Sequence, residues 1–219
     1  MVKVVRLLDL GLTKVSSIVL DMAVLAEGTV TKAVTSYNDD DTSTKKEIFE
    51  SSAKLRFLQD EVSELTIELI ARFQPVATDL RYIKSCMDLS YGFSRFGRYA
   101  YDIITVLEIL GPLQHCDKSS VTRMSKLVLE MMNLGVSALR LRDNSNLNKI
   151  YEMEEMVDVL YRKSLRESSQ LMSANNYSDN RCNISNALIL KYLERISDHA
   201  CYIADSVNYI ETGMASPRR

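Results

Sequence analysis

The sequence predicts an all-α protein made of two tandem three-helix bundles related by an internal repeat. Three observations carry that prediction. Good helix formers (Leu, Met, Ala, Glu, Lys and Arg) dominate a chain of 219 residues that holds seven Gly and three Pro, too little punctuation for a many-stranded fold. The segment Ser94-Arg95-Phe96-Gly97-Arg98-Tyr99-Ala100-Tyr101-Asp102-Ile103 recurs as Glu194-Arg195-Ile196-Ser197-Asp198-His199-Ala200-Cys201-Tyr202-Ile203. Around it, Leu89, Phe93, Phe96, Ala100, Ile103, Leu107 and Leu110 align with Ile189, Leu193, Ile196, Ala200, Ile203, Val207 and Ile210. Those positions advance in alternating steps of four and three, the seam of a bundle helix.

The elements follow in order. The first helix is expected over Val5 to Tyr37 and is interrupted by Asn38-Asp39-Asp40-Asp41-Thr42-Ser43. Thr44-Lys45-Lys46-Glu47 reads as a capping box that opens the second helix, which continues to Phe73. Pro75 reads as the start of the third helix, since proline fits a first turn and breaks an interior; Gly111-Pro112 ends it. The fourth helix is expected from Ser119 to Arg142, with Asp143-Asn144-Ser145-Asn146 as a turn. The fifth runs from Leu147 to Ala174, a polar turn covers Asn175 to Asn180, and the sixth ends at Gly213, a suitable residue to terminate a helix. Residues from Met214 to Arg219 read as a frayed tail. The first and fourth helices repeat as well: Val15 to Met22 lies over Met124 to Met131. The order is therefore three segments and their copies, divided as residues 1–112 and 113–213.

A formal charge of -2 and a pI near 5.8 give a poor footprint for duplex nucleic acid, which demands a basic face. No apolar run reaches the ~18 residues of a membrane span, and Lys3, Arg6, Asp9 and Lys14 interrupt any signal-peptide run. The expectation is a cytoplasmic protein. Cys86, Cys116, Cys182 and Cys201 show no CxxC spacing and are expected as reduced thiols packed as small hydrophobes. The dispersed methionines read mostly as core filler.

Chemistry-bearing patterns are few. There is no Gly-rich phosphate loop and no Gly-x-Ser-x-Gly elbow. His115 falls in a turn and His199 on the sixth helix; neither follows a glutamate by three residues, so the Glu-x-x-His signature of a di-iron bundle is missing. Glu194, Asp198 and Asp205 lie at i, i+4 and i+11, within roughly 40° of helical arc. Glu154 and Asp158 offer a second pair at i, i+4 on the fifth helix. Two such files could supply the oxygen ligands that hard cations require from several directions, and they could equally be a solvated face.

Gln74-Pro75-Val76-Ala77-Thr78-Asp79-Leu80-Arg81 and Tyr192-Leu193-Glu194-Arg195-Ile196-Ser197-Asp198-His199-Ala200, running on to Gly213, resemble the PhoU family of phosphate uptake regulators. Arg6 to Leu12, Met22 to Glu27 and Val157 to Tyr161 extend the resemblance to about residues 5–213. It implies a cytoplasmic adaptor, not an enzyme. Its partners would be the ATPase subunit of a phosphate ABC transporter and/or a sensor kinase; it would meet the membrane only through the transporter, bind no nucleic acid directly and form a homodimer. It also implies multinuclear metal sites built on Glu/Asp-x-x-x-Asp motifs, one per bundle.

Carried onto this chain, that pattern keeps Glu154, Asp158, Glu194 and Asp198 as metal ligands. In the first half it meets Ser94 and Arg98, with only Asp102 left of the file, and Arg56 and Gln59 on the second helix. The first-half site is therefore expected not to bind, because an arginine beside a cation site repels the cation. Any metal (Mg, Mn, Fe or Zn) belongs to the second half only. The alternatives are a PhoU-like regulator of another ion transporter, or a carboxylate metal-binding helical bundle. The missing Glu-x-x-His motif counts against an oxidase, and the low pI counts against a DNA-binding repressor.

Overall fold

The computed structural model describes residues 6–172 and 177–214, apart from the side chains of 171–179. Six helices follow one another: α1 (Leu7–Asp39), α2 (Lys45–Phe73), α3 (Thr78–Leu110), α4 (Ser119–Leu141), α5 (Leu147–Met172) and α6 (Tyr177–Thr212). No strand occurs among the described residues. The fold is all-α, as expected.

Several helix ends differ from the sequence expectations for local reasons. The predicted start at Val5 lies outside the described residues; α1 opens after Arg6, whose backbone N–H donates to the Asp9 carboxylate at 3.2 Å. It closes at Asp40, which adopts a left-handed conformation with φ 59°. Thr44 does stand at the start of α2, but the capping box does not form. Its hydroxyl pairs with Ser36 at 2.6 Å, and Glu47 pairs with Lys32. Pro75 does not open α3. Gln74 (φ 45°) and Ala77 (φ 49°) both turn left-handed, and the helix begins three residues after the proline, at Thr78. The polar stretch expected as a turn over 175–180 is helical from Tyr177 onward; Ala174, Asn175 and Asn176 lie outside the described residues, as do residues 215–219 of the predicted tail. Gly213, at φ 73°, ends α6 as expected, its N–H donating to the Tyr209 carbonyl at 3.0 Å.

α1, α2 and α3 pack against one another, and α4, α5 and α6 do the same. The halves meet where α3 crosses α6 and α1 meets α4, while α2 and α5 stay on the outside. Gly92 faces Ile203 and Tyr99 stacks with Tyr192, so α3 and α6 pass in opposite directions. The buried apolar residues form one continuous core across both halves, with Phe93, Phe96, Ile103, Ile196, Ile203 and Val207 along the shared wall. Full burial of such side chains stabilises the fold by about 1.5–3 kcal/mol each relative to exposure. Met22, Met124, Met131, Met132 and Met153 are core filler, as expected; Met156 is exposed.

Two close approaches depend on small residues. A Cβ at Gly97 would lie 2.6 Å from Leu55 Cδ1 and 3.2 Å from the Ser52 backbone, so the absence of a side chain seats α2 against α3. Its repeat partner, Ser197, is buried too, and its hydroxyl has no hydrogen-bond partner.

The halves are knotted together at one end. The Asp40 carboxylate accepts the Leu113 N–H at 3.0 Å, and Lys118 donates to the Tyr37 carbonyl at 2.6 Å. Tyr37 Oη donates to Asn186 Oδ1 at 2.6 Å, and Arg181 donates to the Leu110 and Gly111 carbonyls. Here the cysteine expectation fails in part. Cys116 and Cys182 are joined by a disulfide across 66 residues of sequence, while Cys86 and Cys201 form no disulfide. The spacing of the cysteines carried no hint of this, because only the return of α6 to the α3–α4 connection brings the two together.

Candidate carboxylate site on α5 and α6

The apolar stripe of α6 is fixed by its packing against α3, α4 and α5, which turns Glu194 and Asp198 to the opposite side of the helix. The i, i+4 spacing stacks the two carboxylates one turn apart. Both are largely shielded: their side chains are 14% and 30% exposed, and Asp158, across on α5, is 28% exposed. Burial holds the Asp198 carboxyl above its ordinary value. The charge on Glu194 adds to the rise, Arg195 and Lys191 oppose it, and Asp158 adds a smaller push. Three carboxylates from two helices therefore share one electrostatic neighbourhood.

Each also has a basic neighbour. Lys191 sits 2.7 Å from Glu194, Arg195 lies 3.2 Å from Asp198, and Arg162 pairs with Asp158. These are long side chains near the surface, able to swing aside for a cation. Glu154 is half-buried on α5, one turn before Asp158. Asp205, the far end of the α6 file, is committed elsewhere, accepting from Tyr151 Oη at 2.6 Å.

The same positions of α3 are occupied differently. Arg98 is exposed and reaches Asp102 at 3.1 Å, so the one remaining acid of that file already carries a guanidinium. Ser94 is half-buried, Arg56 exposed and Gln59 half-buried. Glu194 and Asp198 of the second half thus stand where the first half has Ser94 and Arg98.

His199 sits at the boundary between α3 and α6, its ring 5.8 Å from Tyr91, 5.9 Å from Tyr99 and 5.6 Å from Tyr202. Burial, then Arg95, then Arg195 depress its imidazolium to about 4, so the ring is neutral in the folded chain. Sequence reasoning missed another group. His115, Cys116 and Cys182 place their ligand-type atoms within 4.8 Å of one another. The adjacent His-Cys pair was visible in the sequence, but its third member was not.

The PhoU domain model matches twice, over residues 19–107 and 121–207. The chain belongs to the PhoU family. The phosphate-specific transport system accessory protein PhoU homolog of Clostridium acetobutylicum is 28% identical over 213 residues, covering 95% of each protein. The homolog of Zymomonas mobilis is 27% identical, covering 98% of this chain and 91% of the relative. The crystal structure of PhoU from Pseudomonas aeruginosa superposes with a TM-score of 0.86 at 26% identity, covering 94% of this chain and 99% of that one. The phosphate transport system regulatory protein PhoU from Streptococcus pneumoniae shares the fold, also with a TM-score of 0.86, at 23% identity and with coverage of 96% and 100%. Both repeats, and the crossing between them, therefore belong to the family architecture.

Proposed function

We propose that this PhoU protein is a regulatory adaptor of a phosphate transport system, acting by binding rather than by turnover. One observation carries the reading: both repeats match the family, and full-length relatives bear the name of accessory proteins of phosphate-specific transport. The adaptor associates with the ATPase subunit of a phosphate ABC transporter and/or a sensor kinase, and phosphate supply shifts which complex it occupies. No helix among the described residues is long and apolar enough to cross a membrane, which suits attachment through a partner. Deleting the gene in its host should raise uptake of radiolabelled phosphate under phosphate-replete conditions, and the intact gene should restore restraint. Unchanged phosphate uptake would overturn the reading; a change confined to another ion would assign the protein to a different transporter.

The carboxylates of α5 and α6 favour one addition. Asp198 is crowded by the charges of Glu194 and Asp158, and a divalent cation would relieve that repulsion. Glu154, Asp158, Glu194 and Asp198 would hold it in the second half only, where its positive charge would order α5 against α6. Elemental analysis after metal loading and dialysis should find bound metal, lost in the Glu194→Gln/Asp198→Asn double variant. Equal metal in the two proteins would remove the site.

A further inference from the structure

We propose that, when the Cys116–Cys182 disulfide is reduced, His115, Cys116 and Cys182 bind one zinc ion. The site lies at the knotted end of the molecule, about 18 Å along α6 from Glu194 and separate in chemistry from the carboxylates of α5 and α6. It goes beyond the adaptor reading and does not depend on it.

The geometry carries the argument. His115 Nε2 faces both sulfurs, 3.8 Å from Cys116 Sγ and 3.5 Å from Cys182 Sγ. A tetrahedral zinc with Zn–S of about 2.3 Å and Zn–N of about 2.0–2.1 Å sets a sulfur-to-nitrogen edge of about 3.5 Å and a sulfur-to-sulfur edge of about 3.8 Å. Two of the three edges are thus already close to their length. The third opens when the sulfur–sulfur bond is cleaved, and the Cα atoms, 5.4 Å apart, leave room for it by side-chain rotation. Two thiolates and an imidazole form a soft donor set that suits zinc and not the hard cations a carboxylate file would take. Cys116 is buried and Cys182 half-buried, while His115 is exposed, so the fourth position opens to solvent and accepts water.

The elements are held in place without the sulfur bond. Asn186, one turn along α6 from Cys182, donates to the Asp117 carbonyl at 2.8 Å, and Arg181, beside Cys182, donates to the Gly111 carbonyl at 2.6 Å. The ligands therefore stay facing one another after reduction, as a preorganised site requires. The conversion balances in two steps. A dithiol reductant delivers two electrons and two protons to the disulfide, giving two thiols and the reductant's own disulfide. Zinc then displaces the two thiol protons to solvent and takes a lone pair from the His115 imidazole.

The test uses the full chain reduced with a phosphine and desalted without oxygen. Titration with Co²⁺ should give thiolate-to-metal charge-transfer absorption and the visible bands of a tetrahedral centre, saturating at about one ion per chain and bleached by Zn²⁺. Both signals should vanish in Cys182→Ser and in the unreduced protein, and weaken at least tenfold in apparent affinity in His115→Ala. His115 is exposed, so that variant retains the fold even if the cysteine variant does not. The Glu194→Gln/Asp198→Asn protein should keep the bands, which carboxylates cannot produce. Absence of thiolate bands in the reduced chain, or bands unaltered in both His115→Ala and Cys182→Ser, would overturn the proposal.

Discussion

In the first half, Arg95 lies 4.7 Å over the Tyr99 ring and donates to the Tyr99 hydroxyl at 2.7 Å. In the second, the repeated arginine, Arg195, turns to acids instead, 3.2 Å from Asp198 and 3.7 Å from Glu194. One turn further on, Arg98 of α3 pairs with Asp102, where α6 carries Asp198 and Tyr202. The apolar positions of the two helices coincide because both line the same wall; a substitution there disturbs both halves at once. Polar positions face outward and are not bound by that condition, so the two halves differ there, Ser94 and Arg98 against Glu194 and Asp198. Backbone likeness and ligand likeness are thus separable within one chain.

The largest test of this comparison concerns the covalent link, which lies wholly in the second repeat. Replacing Cys116 and Cys182 by Ser should lower the stability of the oxidised protein by about 4 kcal/mol, the chain-entropy value for a loop of 66 residues. Urea unfolding under non-reducing conditions measures it, and a loss below about 1 kcal/mol would show that the hydrogen-bonded knot suffices.

Next comes His199, which both repeat arginines face. Its folded value, about 4, lies below the unfolded 6.5, so the unfolded chain binds the proton more readily. Stability is therefore full above pH 6.5 and falls as pH drops toward 4. Allowing for partial solvent screening, the loss is about 2 kcal/mol. Comparing urea midpoints of the wild type and His199→Gln between pH 7 and 4.5 checks it; parallel profiles would contradict the assignment.

Two smaller effects contrast the matched small residues. Gly97→Ala should destabilise by about 1–2 kcal/mol, because the clash with Leu55 and the Ser52 backbone exceeds the ~1 kcal/mol alanine returns in helix propensity. Ser197→Ala should be neutral or stabilise by up to about 1 kcal/mol, since it removes a buried hydroxyl that has no partner. Thermal or urea unfolding of the pair resolves the sign; equal effects would mean that the two crossings are equivalent after all.

Much of this was legible in the sequence. The four-three apolar stepping located α3 and α6 and the faces they bury, and Phe73 and Leu147 were placed correctly as helix ends. Turn residues were harder. Pro75 permits a helix start, but the left-handed backbone at Gln74 and Ala77, which postponed it to Thr78, has no signature in non-glycine residues. At Thr44 the box pattern was present, yet Ser36 on α1 and Lys32 claimed its two members. The contrast of Ser94 and Arg98 with Glu194 and Asp198 could be read from the repeat alone. The meeting of Cys182 with His115 and Cys116 could not, because it depends on how a whole helical hairpin folds back.

The wall between α3 and α6 also bears on the molecule's origin. A single three-helix unit would leave that apolar face in water, so a one-repeat ancestor would have had to close it against an identical twin, in a symmetric pair. In such a pair every change appears twice. In one fused chain the copies are free to differ, and Arg98 stands where its sibling carries Asp198.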